Sequence, residues 1–520
     1  MEGKPLSPPR HQAVRPRPRP PDACVPNPLS STVASIQFDR DRLPCLTPRD
    51  LASNIWSCYD LFDGGQARVY LCAWQNPPGA AQPSVIPDNR RVAIKHCLLP
   101  HGGGRFPAIT TEWKFRKAGE DGEECLDREL EVLQRLHDSG CGERVVCPLA
   151  QTRWDGKWFD DPAERACRWW MPTYAYVMPA YRLGSVRSLL DDICNRRAPE
   201  AAQRHFLSMP FIAGEMATLL GELRKIHDPE NGEGLMIQDL TPGNLLVDDE
   251  YVGGGGMRLL LADPGMAAKI ELLKRSTDRP RRHVTGTWLW GCMAARSGSF
   301  DEGADLYSLS AVGVEMWLVA EGALATAEQT VLMLHLDQDP GMPHAVQFLR
   351  HLVLETVKTH HREGKLNPRV TRNLPVSWLG AWALLLGCRD HKTEADMASR
   401  RPHLRPSEAE MLPVYQQWAR VAAAAAALPP DLTSEQAAAP GCAALVADMC
   451  GLFEQLKRLS RLEQGGELED VPTRWLAANF MVQEHPLVAA MRAQGAASGA
   501  QPDDKGRGVR LCPLHLPTME

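Results

Sequence analysis

A chain of 520 residues, 44% hydrophobic and 23% charged, holds enough apolar material for a large core in roughly two to four domain-sized units. Its formal net charge of -6 and pI of about 6.3 argue against a nucleic-acid binder or a protein held on an anionic membrane surface. The 15 cysteines include no CxxC pair, which disfavours a zinc ribbon or a thioredoxin-type site and points to reduced thiols. No apolar run is long and uncharged enough to span a bilayer, and the N-terminus lacks an apolar signal core. The expected setting is intracellular, cytoplasmic or nuclear, with an Arg-rich organellar leader left open.

In chain order, residues 1–54 are Pro/Arg-rich and expected to be largely disordered. Arg15-Pro16-Arg17-Pro18-Arg19-Pro20-Pro21 should be extended, because proline fixes φ and removes a donor. A disordered tail is the plain reading of this run, and an SH3-type partner is the alternative. Short β-branched and aromatic runs then predict strands at 67–74, 91–97 and 175–178. Leu126, Leu130, Leu133 and Leu136 recur at helical spacing over 125–137. Beyond about 185 the chain reads as helical, with one long amphipathic stretch at 206–227 and a nearly all-apolar, buried one at 304–320. Strands followed by helices imply an α+β fold. The Ala-rich 416–520 is expected to form a helical extension with a frayed tail.

Several polar residues stand where chemistry would need them. Gly64 and Gly65 sit between two strand signals, where small residues let backbone N–H groups approach phosphate oxygens. Lys95 ends the apolar run Val92-Ala93-Ile94-Lys95, and a lysine in a buried strand needs a partner. Glu129 on the following helix is the candidate, and Glu131 points to another face. Asp239-Leu240-Thr241-Pro242-Gly243-Asn244 and Leu261-Ala262-Asp263-Pro264-Gly265 follow. Thr285-Gly286-Thr287, Asp305-Leu306-Tyr307-Ser308-Leu309 and Arg405-Pro406 come after them.

In this order the motifs resemble those of the eukaryotic-type protein kinase superfamily, over roughly residues 55–415. The resemblance implies a two-lobed fold, with an N-lobe at about 55–178 and a C-lobe at about 185–415. It implies Mg-ATP as cofactor and a protein substrate phosphorylated on Ser or Thr. Lys95, held by Glu129, would grip the α- and β-phosphates. Asp239 would orient the acceptor hydroxyl and take its proton. Asn244 and Asp263 would hold Mg²⁺ as hard oxygen ligands. The Pro179 carbonyl and the Tyr181 N–H would read adenine, with Val69, Ala93 and Leu246 around the base.

The sequence also departs from the family pattern. Phe62 and Ala67 replace the outer loop glycines, and Ile237-Gln238 replaces the usual His-Arg. Thr241 stands where Ser/Thr kinases have a lysine. Pro264 replaces a phenylalanine and is expected to push Asp263 toward extended backbone. Ala294, in place of a glutamate, offers Arg405 no carboxylate. An active kinase is the first reading. The alternatives are a pseudokinase or ATP-binding scaffold, and a small-molecule phosphotransferase.

Overall fold

The computed structural model describes residues 38–47, 50–51, 54–63, 67–75, 86, 90–97, 122–153, 174–230, 234–249, 256–270, 290–292, 303–323, 345–363, 374–389, 405–429, 432–461, 471–483 and 485–497. The Pro/Arg run at 15–21, Gly64-Gly65 and Thr285-Gly286-Thr287 lie outside these residues.

The N-terminal part is strand-rich. Strands β1 (Cys45–Leu46), β2 (Ile55–Asp63), β3 (Ala67–Trp74), β4 (Arg90–Cys97), β5 (Ala150–Arg153) and β6 (Tyr174–Pro179) form one sheet in the order β1-β5-β6-β4-β3-β2. Successive side chains of a strand face opposite sides. On β4, Val92 and Ile94 join Trp74, Ile86 and Val177 in one apolar cluster. Ala93 faces the larger cluster on the other side, with Tyr176 and Met178. Lys95 shares the face of Ala93 and is thereby drawn into the interior. Helix α1 (Gly122–Leu136) packs Leu126, Leu130 and Leu133 into that larger cluster. Residues 38–46 lie in the region expected to be largely disordered, yet they make a 3-10 turn (Arg40–Arg42) and β1, parallel to β5.

The remainder is mainly helical. Short strands β7 (Leu235–Met236), β8 (Leu245–Asp248), β9 (Arg258–Leu261) and β10 (Ala268–Lys269) form two small antiparallel pairs, β8–β9 and β7–β10. Helices α2 (Val186–Cys194), α3 (Glu200–Phe206), α4 (Met209–His227), α5 (Gly303–Ala320), α6 (Ala345–Glu363), α7 (Leu374–Gly387) and α8 (Glu408–Ala426) build most of the core. The class is α+β, as expected.

One expectation changes. The stretch at 206–227 is not a single helix, because a new one starts after Leu207. The Ser208 Oγ accepts from the Phe211 N–H at 3.4 Å and Pro210 occupies the first turn, so the chain bends by 57° between α3 and α4. Among the described residues no single helix is long and apolar enough to cross a membrane.

The boundary expected at 415/416 falls inside α8, whose Trp418, Val421 and Ala425 are buried. The later helices α9 (Ser434–Ala438), α10 (Pro440–Arg461), α11 (Val471–Phe480) and α12 (Pro486–Ala497) continue the same core. Trp378 of α7 stacks on Trp475 of α11 at 5.5 Å, and Trp382 meets Phe453 of α10 edge-on at 5.8 Å.

Close approach of α7 and α8 requires Gly380. A Cβ there would lie 2.2 Å from Cζ2 of the fully buried Trp418. Gly380→Ala gains up to about 1 kcal/mol of helix propensity, whereas overpacking costs roughly 1–3 kcal/mol or more. The clash should win, and urea unfolding should show net destabilisation. Gly214→Ala in α4, where a Cβ meets nothing within 4 Å, should instead stabilise by up to about 1 kcal/mol. Equal effects of the two substitutions would refute this packing account.

Candidate active site

The site begins with one buried cation. Lys95 is 3% exposed, and its Nζ donates to Glu129 Oε2 at 2.7 Å and to Asp263 Oδ1 at 2.5 Å. Its Nζ also lies 5.8 Å from the centroid of the Tyr176 ring. Glu129 is buried on the inward face of α1, whereas Glu131 is exposed and pairs with Arg135. Removing one partner of such a pair leaves an uncompensated charge, at a cost of roughly 3–5 kcal/mol where both are buried.

Asp263 follows β9 and is 48% exposed at its side chain. Its backbone is left-handed, with φ 52° and ψ 60°, and it caps the turn Pro264–Met266. The extended conformation expected before Pro264 is therefore not adopted. A proline disfavours the right-handed helical region for the preceding residue, and aspartate is among the few residues that tolerate the left-handed one. The bond to Lys95 then selects the side-chain position. Gly265 keeps the turn close to the carboxylates, since a Cβ there would lie 3.1 Å from Glu129 Oε1.

The β8–β9 hairpin sets Asn244 beside Asp263. The Ala262 N–H donates to the Asn244 carbonyl at 2.9 Å, and Leu245 pairs with Leu261. From Nδ2, Asn244 donates to the Asp239 carbonyl at 2.9 Å and to Asp239 Oδ2 at 3.0 Å. Its amide oxygen lies on the other side of the group. That oxygen and the half-exposed Asp263 carboxylate are hard donors of the kind Mg²⁺ takes. The residues present fit such an ion.

The loop carrying Asp239 is fixed from below by a carboxylate. Asp305, fully buried on α5, accepts from the Ile237 N–H at 2.7 Å and the Gln238 N–H at 3.0 Å. Gln238 has a φ of 66°, so this acceptor holds a backbone that an ordinary residue rarely adopts. Two residues that sequence reasoning missed complete the anchor. His227, the last residue of α4, bonds through Nε2 to Asp305 Oδ2 at 2.9 Å and through Nδ1 to Glu408 Oε2 at 3.1 Å. Burial alone would lower the imidazole pKa. Hydrogen bonds and charge from Asp305 and Glu408 outweigh it and push the value up to about 10. The ring is thus a cation donating from both nitrogens, at a helix C-terminus that favours positive charge.

The expected adenine-reading residues lie at the end of β6. Pro179 pairs with Val92, and the next N–H, of Ala180, reaches the Arg91 carbonyl at 3.2 Å. The chain turns at Gly184 (φ 70°), whose carbonyl accepts from Val247 at 2.9 Å. This brings β8 and Leu246 alongside the segment that carries Tyr181. Val69, directly opposite Lys95 on β3, and Leu246 are partly buried against the same cluster as Ala93 and Tyr181. Thr241 is buried, and its carbonyl accepts from the Asn244 N–H at 3.0 Å. The positions of Lys95, Glu129 and Asp263, and of Asp239 and Asn244, are brought together as two linked groups. Gly64 and Gly65 are not described.

No protein-family model matches the chain. A stretch of it is 32% identical over 178 residues to the DNA damage-responsive serine/threonine-protein kinase RqkA of Deinococcus radiodurans. That stretch covers 28% of this chain and 25% of the relative, so the chain matches about a quarter of that protein's length. The similarity supports a kinase-like relationship.

The anchor generates a test. An unfolded histidine releases its proton near 6.5, whereas His227 in the fold holds it up to about 10. Its contribution to stability is fully present below about 6.5 and is lost as pH rises through about 10. The unfolding free energy should therefore fall between pH 6.5 and 9.5, and the fall should be smaller in His227→Gln. Denaturant titrations at the two pH values measure it. An equal fall in both chains would mean that His227 is not the cation described.

Proposed function

We propose that the chain is a protein kinase that transfers the γ-phosphate of Mg-ATP to Ser or Thr hydroxyls of protein substrates. The observation that carries this reading is Lys95 held between Glu129 and Asp263 while Asp239 and Asn244 share a loop anchored on Asp305. On this reading the strand-rich and helical parts are the two lobes of a kinase fold, and the site lies between β3–β4, the end of β6 and the β8–β9 hairpin. The local similarity to a serine/threonine-protein kinase supports the same assignment.

Phosphoryl transfer asks a protein mainly for positioning and charge neutralisation. Lys95 supplies a fixed positive charge to the nucleotide phosphates, and Glu129 keeps it in place when no nucleotide is bound. Asp263 and Asn244 would hold the metal, which neutralises charge between phosphate oxygens. Asp239 is kept in position by the Asn244 amide and accepts the proton of the acceptor hydroxyl. The Pro179 carbonyl and the Tyr181 N–H receive adenine, with Val69, Ala93 and Leu246 as its apolar surround. Proline is compatible with the first role because it retains its carbonyl.

The decisive experiment separates binding from transfer. Mg-ATP at about a hundred times its Kd should stabilise the chain by ~2.7 kcal/mol, read as a rise in Tm. Asp239→Asn should keep that rise and lower radiolabelled phosphate transfer to Ser/Thr substrates by about 10²- to 10⁴-fold. Lys95→Met and Asp263→Ala should shrink the rise itself. A rise in Tm without any transfer by the unaltered chain would select the pseudokinase reading, and no rise would reject nucleotide binding altogether.

A further inference from the structure

The helix that carries Glu129 is held from two sides. Its inward face meets the sheet and Lys95. Its outward face meets residues 38–46. The Arg40 N–H donates to Gln134 Oε1 at 2.7 Å, and Gln134 Nε2 donates back to the Phe38 carbonyl at 3.0 Å. The buried Phe38 ring lies 5.1 Å from that of His137, just past the helix end. Arg40 also approaches Asp127 at 3.5 Å, and Arg153 of β5 holds the same carboxylate at 2.5 Å. Asp127 and Gln134 are seven residues, two helical turns, apart and so share one face. Glu129 lies two residues from Asp127, about 200° around the helix, on the opposite side.

The other end of the segment is tied to the sheet. The Gln151 N–H reaches the Pro44 carbonyl at 2.8 Å, its side-chain amide reaches Leu43 at 3.3 Å, and β1 pairs with β5. Residues 38–46 therefore form a brace from the sheet edge to the back of α1. From the sheet side the helix is held by its leucines and by the Lys95–Glu129 pair. The brace holds it from the other side.

We propose that residues 38–46 are a positioning strap for the nucleotide site, acting through Gln134 and Asp127 to keep Glu129 against Lys95. This rests on the reading of Lys95 as the phosphate-binding lysine, but the strap itself is testable without nucleotide. Two variants of the full chain loosen it from opposite sides. Gln134→Ala removes the two amide bonds from the helix to the strap. Arg40→Pro removes the N–H donor and the guanidinium from the strap. Proline is accepted at the first position of a helical turn, and Asp39 before it is already extended at φ -132° and ψ 105°.

The first measurement is the acylation rate of Lys95 in the nucleotide-free chain by acetic anhydride, followed by mass spectrometry. Both variants should raise it at least about 5-fold, the factor expected for a single lost hydrogen bond, while exposed Lys225 is unaffected. The second is the Kd for Mg-ATP in a double-mutant cycle. Gln134→Ala should weaken binding about 5-fold in the native background and less than about two-fold beside Glu129→Gln, because the effect runs through that carboxylate. Unchanged Lys95 labelling, or equal weakening in both backgrounds, would reduce the strap to a stabilising edge and overturn the proposal. A chain that binds no Mg-ATP would instead sink the functional reading, and Lys95 labelling alone would then decide the strap.

Discussion

A lysine in the middle of a sheet sets the terms for everything around it. Lys95 lies on the inward face of β4 and is buried. The desolvation cost of an ammonium is several kcal/mol or more, so the fold is stable only if carboxylates arrive with good geometry. They come from segments far apart in sequence, Glu129 on α1 and Asp263 after β9. Satisfying one charge thus sets the approach of α1 to the sheet and docks the turn at 264–266 against both. The pairing is unequal. Glu129 is as buried as the lysine, while Asp263 is half exposed and reaches toward solvent. The first bond therefore reads as structural support, and the second as the side from which another anion or a cation can enter.

The helical part solves the same problem with the sign reversed. Asp305 is a fully buried carboxyl group, and it is met by two backbone N–H groups and the His227 ring. Because the donors at 237 and 238 precede Asp239 directly, the stability of the core is converted into the position of the loop. His227 could not stay charged beside one buried carboxylate as readily as beside two, and Glu408 supplies the second from the start of α8. Ser407 caps that helix and Glu410 closes the capping box, which fixes where Glu408 stands.

Much of this was legible in the residue order, and the reasons are local. Val92 to Lys95 reads as a strand because its residue types are those of a pleated, buried surface. Glu129 falls on the inward face because the leucines around it recur at helical spacing. What was not legible depends on several segments meeting. The left-handed backbone of Asp263 is permitted by the rule for residues before proline, yet only Lys95 and the Gly265 turn select it. His227 and Glu408 look like ordinary polar residues near helix ends, and only three converging segments bury them. The bend at 207–208 was signalled by Ser208 and Pro210, but the apolar period runs across it and hid the break. Residues 38–46 escaped notice because a two-residue strand beside a Pro/Arg-rich run has no period of its own.

Two arginines of the helical part rest on aromatic rings. Arg405, offered no carboxylate at 294, lies 5.4 Å over the ring of Tyr307. Trp290 takes Arg187 at 5.2 Å over its own ring and gives its carbonyl to Ser308 at 2.6 Å. Arg187 in turn pairs with the buried Glu315 at 2.9 Å, and its N–H donates to the Pro242 carbonyl at 2.9 Å. One arginine thus ties the segment at 290, helix α5 and the Asp239 loop together without a phosphate and without the arginine that Gln238 replaces. A cation over a ring is held by a broad face rather than by two directed bonds, and it needs no group that a kinase or phosphatase could alter. The connection from Trp290 to the Asp239 loop therefore runs through one ring contact, one ion pair and one backbone bond of Arg187.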